Sequence, residues 1–219
     1  MHILYEDKEI IVVEKPAGEP VQTKKITTMD LTSKLKIYLQ KKYSEDPYLG
    51  IIHRLDQPVR GILVFALNEK AAGSLSRQIS SGGFNKKYHA YVEGIVKTYD
   101  EWKTQVDYLI KDKDTARIVN RDNKNAKRAE LKYRTVKIDE AKKETLLDIE
   151  LVTGRFHQIR VQLSNMDHPI IGDVKYGAKA NEAGRGPIKD GTSERSIGLC
   201  AYHLSFIHPT TGRYMEFDL

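Results

Sequence analysis

Residues 61–93 constrain the fold of this chain more than any other stretch. They begin with an apolar run at 61–67 that is typical of a buried strand. Asn68 is a favourable helix N-cap, apolar residues then recur at helical spacing, and two glycines end the pattern. From Phe84 onward apolar and polar residues alternate, as they do in a half-buried strand. The stretch therefore predicts a strand, a helix and a second strand in succession.

The rest of the chain adds more strands than helices. Strands are predicted at residues 9–14 and 145–151, and in a closing hairpin of residues 199–208 and 213–219. Helices are predicted from a capping-box spacing at Thr27 up to about Tyr43, and after the turn at Gly154. No internal repeat or low-complexity linker divides the sequence. We therefore expect a single domain, residues 1–219, of the α+β class, with a mixed, mainly antiparallel sheet flanked by helices.

The composition limits the classes of protein that the chain can belong to. Of the 219 residues, 40% are hydrophobic, which is enough for a sizeable buried core. Lys and Arg number 36 against 30 Asp and Glu, and the formal net charge of +6 favours an anionic partner. The single cysteine, Cys200, excludes an intramolecular disulfide, and no Cys and His cluster has zinc-ligand spacing. Since neither an export signal nor a membrane-spanning run is recognisable, we expect a cytoplasmic protein that has no membrane segment and binds no metal.

Much of the positive charge is concentrated in one segment. Residues 111–137 contain ten Lys and Arg but only four Asp and Glu, and residues 120–125 have the composition of an exposed loop between two strands. A concentrated basic surface favours a polyanion because phosphate contacts release condensed counterions. Lys124, Lys127 and Arg128 are the candidates for such contacts. A hairpin that is merely solvated is the alternative.

A candidate nucleophile lies in the segment HRLD at residues 53–56, shortly before the apolar run that starts at Gly61. Asp56 stands between an arginine and a turn with proline and glycine, so its carboxylate is expected at the edge of a strand rather than in a core. An edge position suits a nucleophile that must reach a substrate. The alternative is a surface ion pair between Arg54 and Asp56, which would contribute little to stability.

Two further segments offer side chains for a site. Tyr88 falls on the strand face that also carries Ala90 and Val92, which suits a core tyrosine and an active-site aromatic equally well. His157 and Arg160 are three residues apart in a predicted helix and therefore share a face. A buried arginine on such a helix needs an anionic partner, because an uncompensated buried charge is costly.

These segments occur together, in this order, in one known family. They are HRLD at 53–56, GILVFA at 61–66, KKYHAYVEG at 86–94, LVTGRFHQIRVQL at 151–163, HPIIGDVKYG at 168–177 and LCAYHLSFIHPTTG at 199–212. With the opening strand and turn at residues 10–18, the chain resembles the RluA-type pseudouridine synthases over nearly its whole length. The resemblance implies the pseudouridine synthase fold with a central catalytic cleft. It also implies an enzyme that isomerises specific uridines of ribosomal or transfer RNA to pseudouridine, without a metal or organic cofactor.

The resemblance also implies roles for individual residues. Asp56 matches the family's nucleophile, and Arg160 matches the arginine that pairs with it and keeps it ionised. Tyr88 matches the tyrosine that stacks on the uracil, and Arg54 matches the residue that enters the space left by the flipped nucleotide. The other expected contacts to RNA are His53, Arg155, His157, Lys124, Lys127 and Arg128.

One departure from the family concerns how RNA is captured. Many members carry a small N-terminal RNA-binding module, whereas here the first family strand begins within ten residues of Met1. RNA binding is therefore expected from the catalytic domain itself. We expect a monomer, because the RNA supplies the large interface.

Two other functions fit parts of the sequence. A catalytically silent RNA-binding protein would use the basic segment alone. A glycoside- or nucleoside-cleaving enzyme would also use a carboxylate at an anomeric carbon, but such enzymes usually need a second one. Asp173 and Glu150 are the candidates for that second carboxylate, and release of free uracil would distinguish this reaction.

Overall fold

The computed structural model describes residues 1–24, 27–43, 46–98, 101–179 and 196–219. The chain divides into two compact units, the first formed by residues 1–86 and 201–219 and the second by residues 87–200. The predicted α+β class with a mainly antiparallel sheet is confirmed, because the described strands outnumber the helices and eight of the strand pairs are antiparallel. The single domain predicted for residues 1–219 stays a prediction. No helix in the described ranges is long and apolar enough to cross a membrane.

In its described residues the first unit consists of a sheet and two helices. Its elements are β1 (His2–Glu6), β2 (Ile10–Lys15), α1 (Leu31–Tyr43), β3 (Gly50–Ile51), β4 (Arg60–Ala66), α2 (Glu69–Ser81), β10 (Leu199–Ile207) and β11 (Tyr214–Asp218). The strand order is β1-β2-β4-β10, with β3 also paired to β4 and β11 to β10. At Gly61, where φ is 149°, a Cβ would come within 2.5 Å of the Ala201 backbone. Only glycine therefore allows the chain to leave the Asp56 loop and enter β4 at this point.

The central strands of this unit are buried because their residues are apolar on both faces. Ile10 and Val12 of β2, Ile62 and Val64 of β4 and Leu75 of α2 belong to one apolar core. The predicted limits of α2 are confirmed. The Asn68 side chain accepts a hydrogen bond from the Ala71 amide, and Gly82 ends the helix in the left-handed conformation.

The start of α1 differs from the prediction. The capping residue is Asp30, not Thr27: one Asp30 carboxylate oxygen accepts from the Ser33 amide and the Thr32 hydroxyl, both at 2.8 Å. The other oxygen accepts from the Thr23 amide at 2.7 Å. Asp30 therefore caps the helix and also fixes the preceding loop, which a pattern based on helix ends alone does not reveal.

The described residues of the second unit form an antiparallel sheet and one α-helix. Its elements are β5 (Asn85–Glu93), β6 (Lys103–Asp112), β7 (Thr115–Ile118), β8 (Lys127–Asp139), β9 (Glu144–Leu151), α3 (Gln158–Asn165) and a 3-10 turn (Val174–Tyr176). The strand order is β5-β9-β8-β6-β7. Alternation in β5 is confirmed, since Tyr88, Ala90 and Val92 are buried while the intervening residues are half-buried. The predicted loop at 120–125 does connect two strands, β7 and β8. The polar composition of residues 178–196 predicts a further loop, and residues 180–195 of it lie outside the described residues.

Lys15, the last residue of β2, fixes the loop that carries Asp56. Its side chain is 0% exposed, and its ammonium donates hydrogen bonds to the carbonyl oxygens of Pro16, Glu19 and Gln57 at 2.9, 2.8 and 3.1 Å. Burial lowers the pKa of Lys15 to about 8, against the opposing charges of Glu19 and Asp56. The turn after β2 and the Asp56 loop are therefore held to one buried cation.

Replacing Lys15 by methionine should destabilise the protein. Methionine fills much of the same volume but leaves the carbonyls of Pro16, Glu19 and Gln57 without this donor, at a cost of about 1–3 kcal/mol in the free energy of unfolding. Urea denaturation of the wild type and of Lys15→Met measures the difference. The exposed Lys8 provides the control, because Lys8→Met removes the same charge without a buried partner. Equal stability of all three proteins would contradict this role of Lys15.

The free energy of unfolding should also depend on pH differently in the wild type and in Lys15→Met. The pKa of Lys15 is about 8 in the native state against an ordinary value of 10.5, so the unfolded state holds this proton more tightly between these pH values. The free energy of unfolding of the wild type should then rise relative to Lys15→Met from about pH 8 to about pH 10.5. Parallel stability curves over this interval would show that the native pKa is not lowered.

Candidate active site

The loop that carries Asp56 is anchored on both sides of the aspartate. Leu55 and Val59 are buried, and the Val59 amide donates to the Asp56 carbonyl oxygen at 3.0 Å, which closes a turn. Gln57 accepts from the Gly18 amide at 2.8 Å and donates through its side chain to the Gly18 carbonyl at 2.9 Å. Asp56 itself is half-buried. The carboxylate is therefore held on a loop with a fixed backbone, at an accessible edge as the sequence predicted.

The two residues at the start of the same segment have different surroundings. Arg54 is exposed, as a residue that contacts a polyanion must be. His53 instead packs edge to face against Phe84, with ring centroids 5.2 Å apart, and its Nε2 accepts from the Val64 amide at 3.3 Å. Burial and the charge of Lys86 hold the pKa of His53 well below its ordinary value. His53 is thus a neutral acceptor for a strand amide, and its contact with RNA stays a prediction.

Tyr88 lies in the second unit, on the buried face of β5. Its side chain is buried, and it stands opposite Ile149 of β9 in the register of the two strands. The sequence left open whether Tyr88 is a core or an active-site aromatic, and its burial is compatible with both. The strand itself fixes the direction of the ring, because β5 is paired along its length with β9.

Arg160 of α3 forms a buried ion pair with Asp173. Its Nε and one Nη each donate to a different oxygen of Asp173, both at 2.7 Å, and the side chains are 6% and 1% exposed. The guanidinium carbon lies 4.9 Å from the ring centroid of Tyr176. The sequence predicted an anionic partner for a buried Arg160 but missed Asp173 in this role. Pairing of Arg160 with Asp56 stays a prediction.

This ion pair also bears on the second carboxylate that a glycoside-cleaving enzyme would need. Asp173 is engaged by two N–H groups of one arginine and is buried, so its charge is already compensated. Glu150, the other candidate, lies on β9 opposite Lys87 and Lys132 of the neighbouring strands. Cationic residues therefore neighbour both carboxylates within the second unit, which favours a structural role for each.

Tyr176 connects Arg160 with His157. Its hydroxyl oxygen accepts from the Ala116 amide at 2.7 Å, and its own proton is available for His157 Nδ1, also at 2.7 Å. The prediction that His157 and Arg160 share a face is confirmed, since both contact Tyr176. His157 has φ 52° at the start of α3, a left-handed conformation that is uncommon outside glycine. The contact with Tyr176 holds it there.

The basic segment of the second unit lines a groove on the surface. We call this the basic groove; its lining residues are Leu109, Ile110, Lys111, Lys124, Asn125, Ala126, Lys127, Gly154, Arg155 and Phe156. Of the three residues predicted from this segment to bind RNA, Lys124 and Lys127 line the groove. Arg128 instead pairs with Glu130, and its carbonyl accepts from Arg155 Nε at 2.9 Å. The cationic surface that the basic segment presents is therefore smaller than the number of Lys and Arg in residues 111–137 indicates.

One group of possible metal ligands occurs in the described part of the chain. His203 lies near Glu216 and Asp218 in the hairpin of β10 and β11. His203 Nδ1 is 2.8 Å from an Asp218 oxygen and 3.8 Å from Glu216, and both carboxylates are exposed. The geometry is that of a histidine hydrogen-bonded to one surface carboxylate, that of Asp218, and it gives no support to a metal centre.

Comparisons with known proteins agree with the resemblance seen in the sequence. The family model described as RNA pseudouridylate synthase matches residues 9–165. An uncharacterized RNA pseudouridine synthase of Aquifex aeolicus is 36% identical over 100% of this chain and 69% of its own length. Ribosomal large subunit pseudouridine synthase D of Zymomonas mobilis is 31% identical over 100% of this chain and 68% of its own length.

Solved structures show the same fold. The human RNA pseudouridylate synthase domain containing 4 superposes with a TM-score of 0.75 at 23% identity, covering 100% of this chain and 87% of that structure. Residues 9–165, which the family model matches, include HRLD, KKYHAYVEG and HQIR. These segments carry the candidate residues Asp56, Tyr88 and Arg160. The chain therefore belongs to the RNA pseudouridylate synthase family and is an enzyme that isomerises uridine in RNA to pseudouridine.

Proposed function

We propose that this enzyme modifies ribosomal RNA of the large subunit. The proposal rests on the relatives that match nearly the whole chain, among them the large-subunit synthases D of Zymomonas mobilis and Vibrio cholerae. Transfer RNA is the other substrate class that the sequence predicted. We further propose that the enzyme acts as a monomer in the cytoplasm, where it captures RNA through exposed cations such as Arg54.

The reaction needs a carboxylate, and we assign that role to Asp56. The bond between C1′ of the ribose and N1 of the uracil breaks, the base turns, and a bond forms between C1′ and C5. C5 then loses its proton while N1 gains one, so no oxidant or reductant is required. Attack on the sugar, attack on the base and assisted elimination all need an ionised carboxylate at this place. The anchored loop and the buried Lys15 ammonium support Asp56 as that group.

Arg160 is the residue we assign to orient and stabilise the Asp56 carboxylate. A guanidinium near a carboxylate favours its charged form. Arg160 suits this role because Asp173 and Tyr176 fix its position without any substrate. A preorganised group of this kind loses no free energy to rearrangement during the reaction.

Substrate contacts complete the assignment. Tyr88 would stack on the uracil and accept the C5 proton, roles that suit a tyrosine held on a rigid strand. Arg54 would enter the space left by the target nucleotide and contact a phosphate, which offsets the few kcal/mol lost on unstacking. Around the second unit, Lys124, Lys127 and Arg155 would bind the RNA backbone, with smaller contributions from Arg128 and His157, which already have protein partners.

Asp56→Asn should abolish turnover while RNA binding persists. The amide retains the shape of the side chain but is not a nucleophile, so we expect kcat to fall by about 10³-fold or more while the RNA Kd changes little. A carbodiimide map of pseudouridine in host ribosomal and transfer RNA, with and without the gene, then identifies the substrate. Sites in large-subunit RNA that return with the wild type but not with Asp56→Asn would support both assignments.

The control for this experiment is Asp46→Asn, because Asp46 is an exposed aspartate of the same unit. Its turnover should equal that of the wild type. Multiple turnover by Asp56→Asn would refute the nucleophile, and sites lost only from transfer RNA would refute the ribosomal substrate.

Asp173→Asn should disturb both stability and turnover. It replaces the charged side chain that Arg160 binds through two N–H groups with a neutral one, and breaking a buried ion pair of this kind costs up to about 3–5 kcal/mol in the free energy of unfolding. At low temperature, where the variant stays folded, kcat should still be reduced because Arg160 loses its orientation. Asp114→Asn is the control, since Asp114 pairs with Lys175 at the surface and its loss should not change either quantity measurably. Wild-type kcat in a folded Asp173→Asn protein would contradict the role of the ion pair.

A further inference from the structure

We propose that the basic groove binds a single-stranded segment of the RNA and that one of its bases stacks on Phe156. The proposal rests on the proposed function, because it takes the RNA substrate as the ligand. It adds a base-binding platform to a surface that was so far assigned only to phosphates. Neither the charge pattern of residues 111–137 nor the roles implied by the family resemblance distinguish Phe156.

The groove is an open surface feature whose lining is both apolar and cationic. It consists of two adjoining hollows of about 440 and 240 Å³, which share Ile110, Lys111, Asn125 and Lys127. The larger hollow falls within the range of about 300–1,000 Å³ that is typical of ligand sites in proteins. The lining of the groove offers apolar surface at Ile110 and Phe156 beside the ammonium groups, so it suits a ligand with both flat apolar faces and negative charge.

The electrostatics of the groove favour an anion. Four cations line it (Lys111, Lys124, Lys127 and Arg155), and none of its described lining residues is acidic. Three of the four acidic residues in residues 111–137 form ion pairs, Asp112 with Arg117, Asp114 with Lys175 and Glu130 with Arg128, and the fourth, Asp122, lies in the exposed loop at 120–125. The charges of Lys111, Lys124 and Lys127 are therefore available for the phosphates of a strand.

Phe156 is placed as a rigid aromatic platform. Its side chain is 40% exposed, although it lies between β9 and α3 in a well-packed unit. The ring of His157 stacks on one face, with centroids 3.8 Å apart, and the Lys111 ammonium lies 4.9 Å from the ring centroid. Tyr176 holds His157 in its strained conformation, and the His157 ring in turn supports one face of Phe156. The Phe156 ring is therefore fixed before any ligand binds.

This combination favours single-stranded over double-stranded RNA. In a duplex the faces of the bases are covered by their neighbours, whereas an unpaired base can stack on an aromatic side chain. Proteins that bind single strands combine such a ring with a cationic groove that follows the backbone. Lys111, on its flexible stem, would move from the Phe156 ring to a phosphate as the base takes its place.

A tryptophan at position 156 tests base stacking directly. Trp102 is the only natural tryptophan, so the double variant Trp102→Phe, Phe156→Trp carries its single indole in the groove. Titration with an unstructured RNA of about 10 nucleotides, a length within the range of single-strand sites, should quench its fluorescence. Inorganic polyphosphate should compete through the lysines without quenching. An unquenched indole in the RNA-bound protein would overturn the base platform.

Affinity and its salt dependence separate the ring from the lysines. Phe156→Ala should weaken binding of this RNA roughly 5- to 100-fold at an unchanged salt slope, with a smaller effect on a duplex. The double variant Lys124→Gln, Lys127→Gln should instead reduce the slope of the logarithm of the binding constant against the logarithm of the salt concentration by about 1.4. Lys137→Gln is the control, since Lys137 is exposed and lies ten residues beyond Lys127 on the same strand. Phe156→Leu keeps the apolar bulk without the ring, should Phe156→Ala fail to fold.

The outcomes separate this inference from the proposed function. If the wild type forms pseudouridine in ribosomal RNA but Phe156→Ala and Phe156→Leu bind RNA as tightly as it does, the platform is refuted and the function stands. If the variants bind weakly but the wild type leaves ribosomal RNA unmodified, the groove stands and the ribosomal substrate is refuted. Equal losses for single strands and duplexes would refute the preference for unpaired bases.

Discussion

The proposed chemistry depends on the buried ion pair between Arg160 and Asp173. A buried charge without its partner destabilises a protein by several kcal/mol, so each of the two side chains depends on the other for its place in the interior. The two-pronged geometry leaves the guanidinium no freedom to rotate, and the ring of Tyr176 covers it. An arginine held in this way can act on a carboxylate without first being ordered. For Arg160 the ordering has already been achieved during folding.

Tyr176 extends this constraint to the surface of the same unit. Its ring contacts Arg160, and its hydroxyl bonds both the Ala116 amide of β7 and the ring of His157. His157 in turn stacks on Phe156. The proposed catalytic arginine and the proposed base platform are therefore supported by one side chain. A substitution at Tyr176 would act on both, which makes it a poor choice for separating catalysis from binding.

The sequence predicted the elements whose signals are local. The limits of α2 follow from Asn68 and Gly82, and alternation in β5 follows from the residues of that strand alone. Partners that are distant in the chain were not predictable. Asp30, rather than Thr27, caps α1, and its second oxygen accepts from the Thr23 amide in the preceding loop.

The same limit applied to the candidate site. That Arg160 would need an anion followed from its predicted burial, but the identity of Asp173 did not. Lys15 has no local signal that distinguishes a buried lysine from a surface one, although it turns out to hold three carbonyls. In each case the residue type was visible in the sequence, whereas the partner was determined by the fold. The motifs that carry the family resemblance supplied the roles that local patterns could not.

The basic segment shows why a count of charges identifies a class of partner but not a binding surface. Arg117 and Arg128 belong to the excess, yet each is paired with a neighbouring carboxylate and adds little to the field at a distance. Lys124 and Lys127 are exposed in a groove without acids, where their charges add. Charge alone would accept any polyanion. The fixed ring of Phe156 beside these lysines restricts the ligand to one that offers an aromatic face as well as phosphates, and an unpaired stretch of RNA meets both conditions.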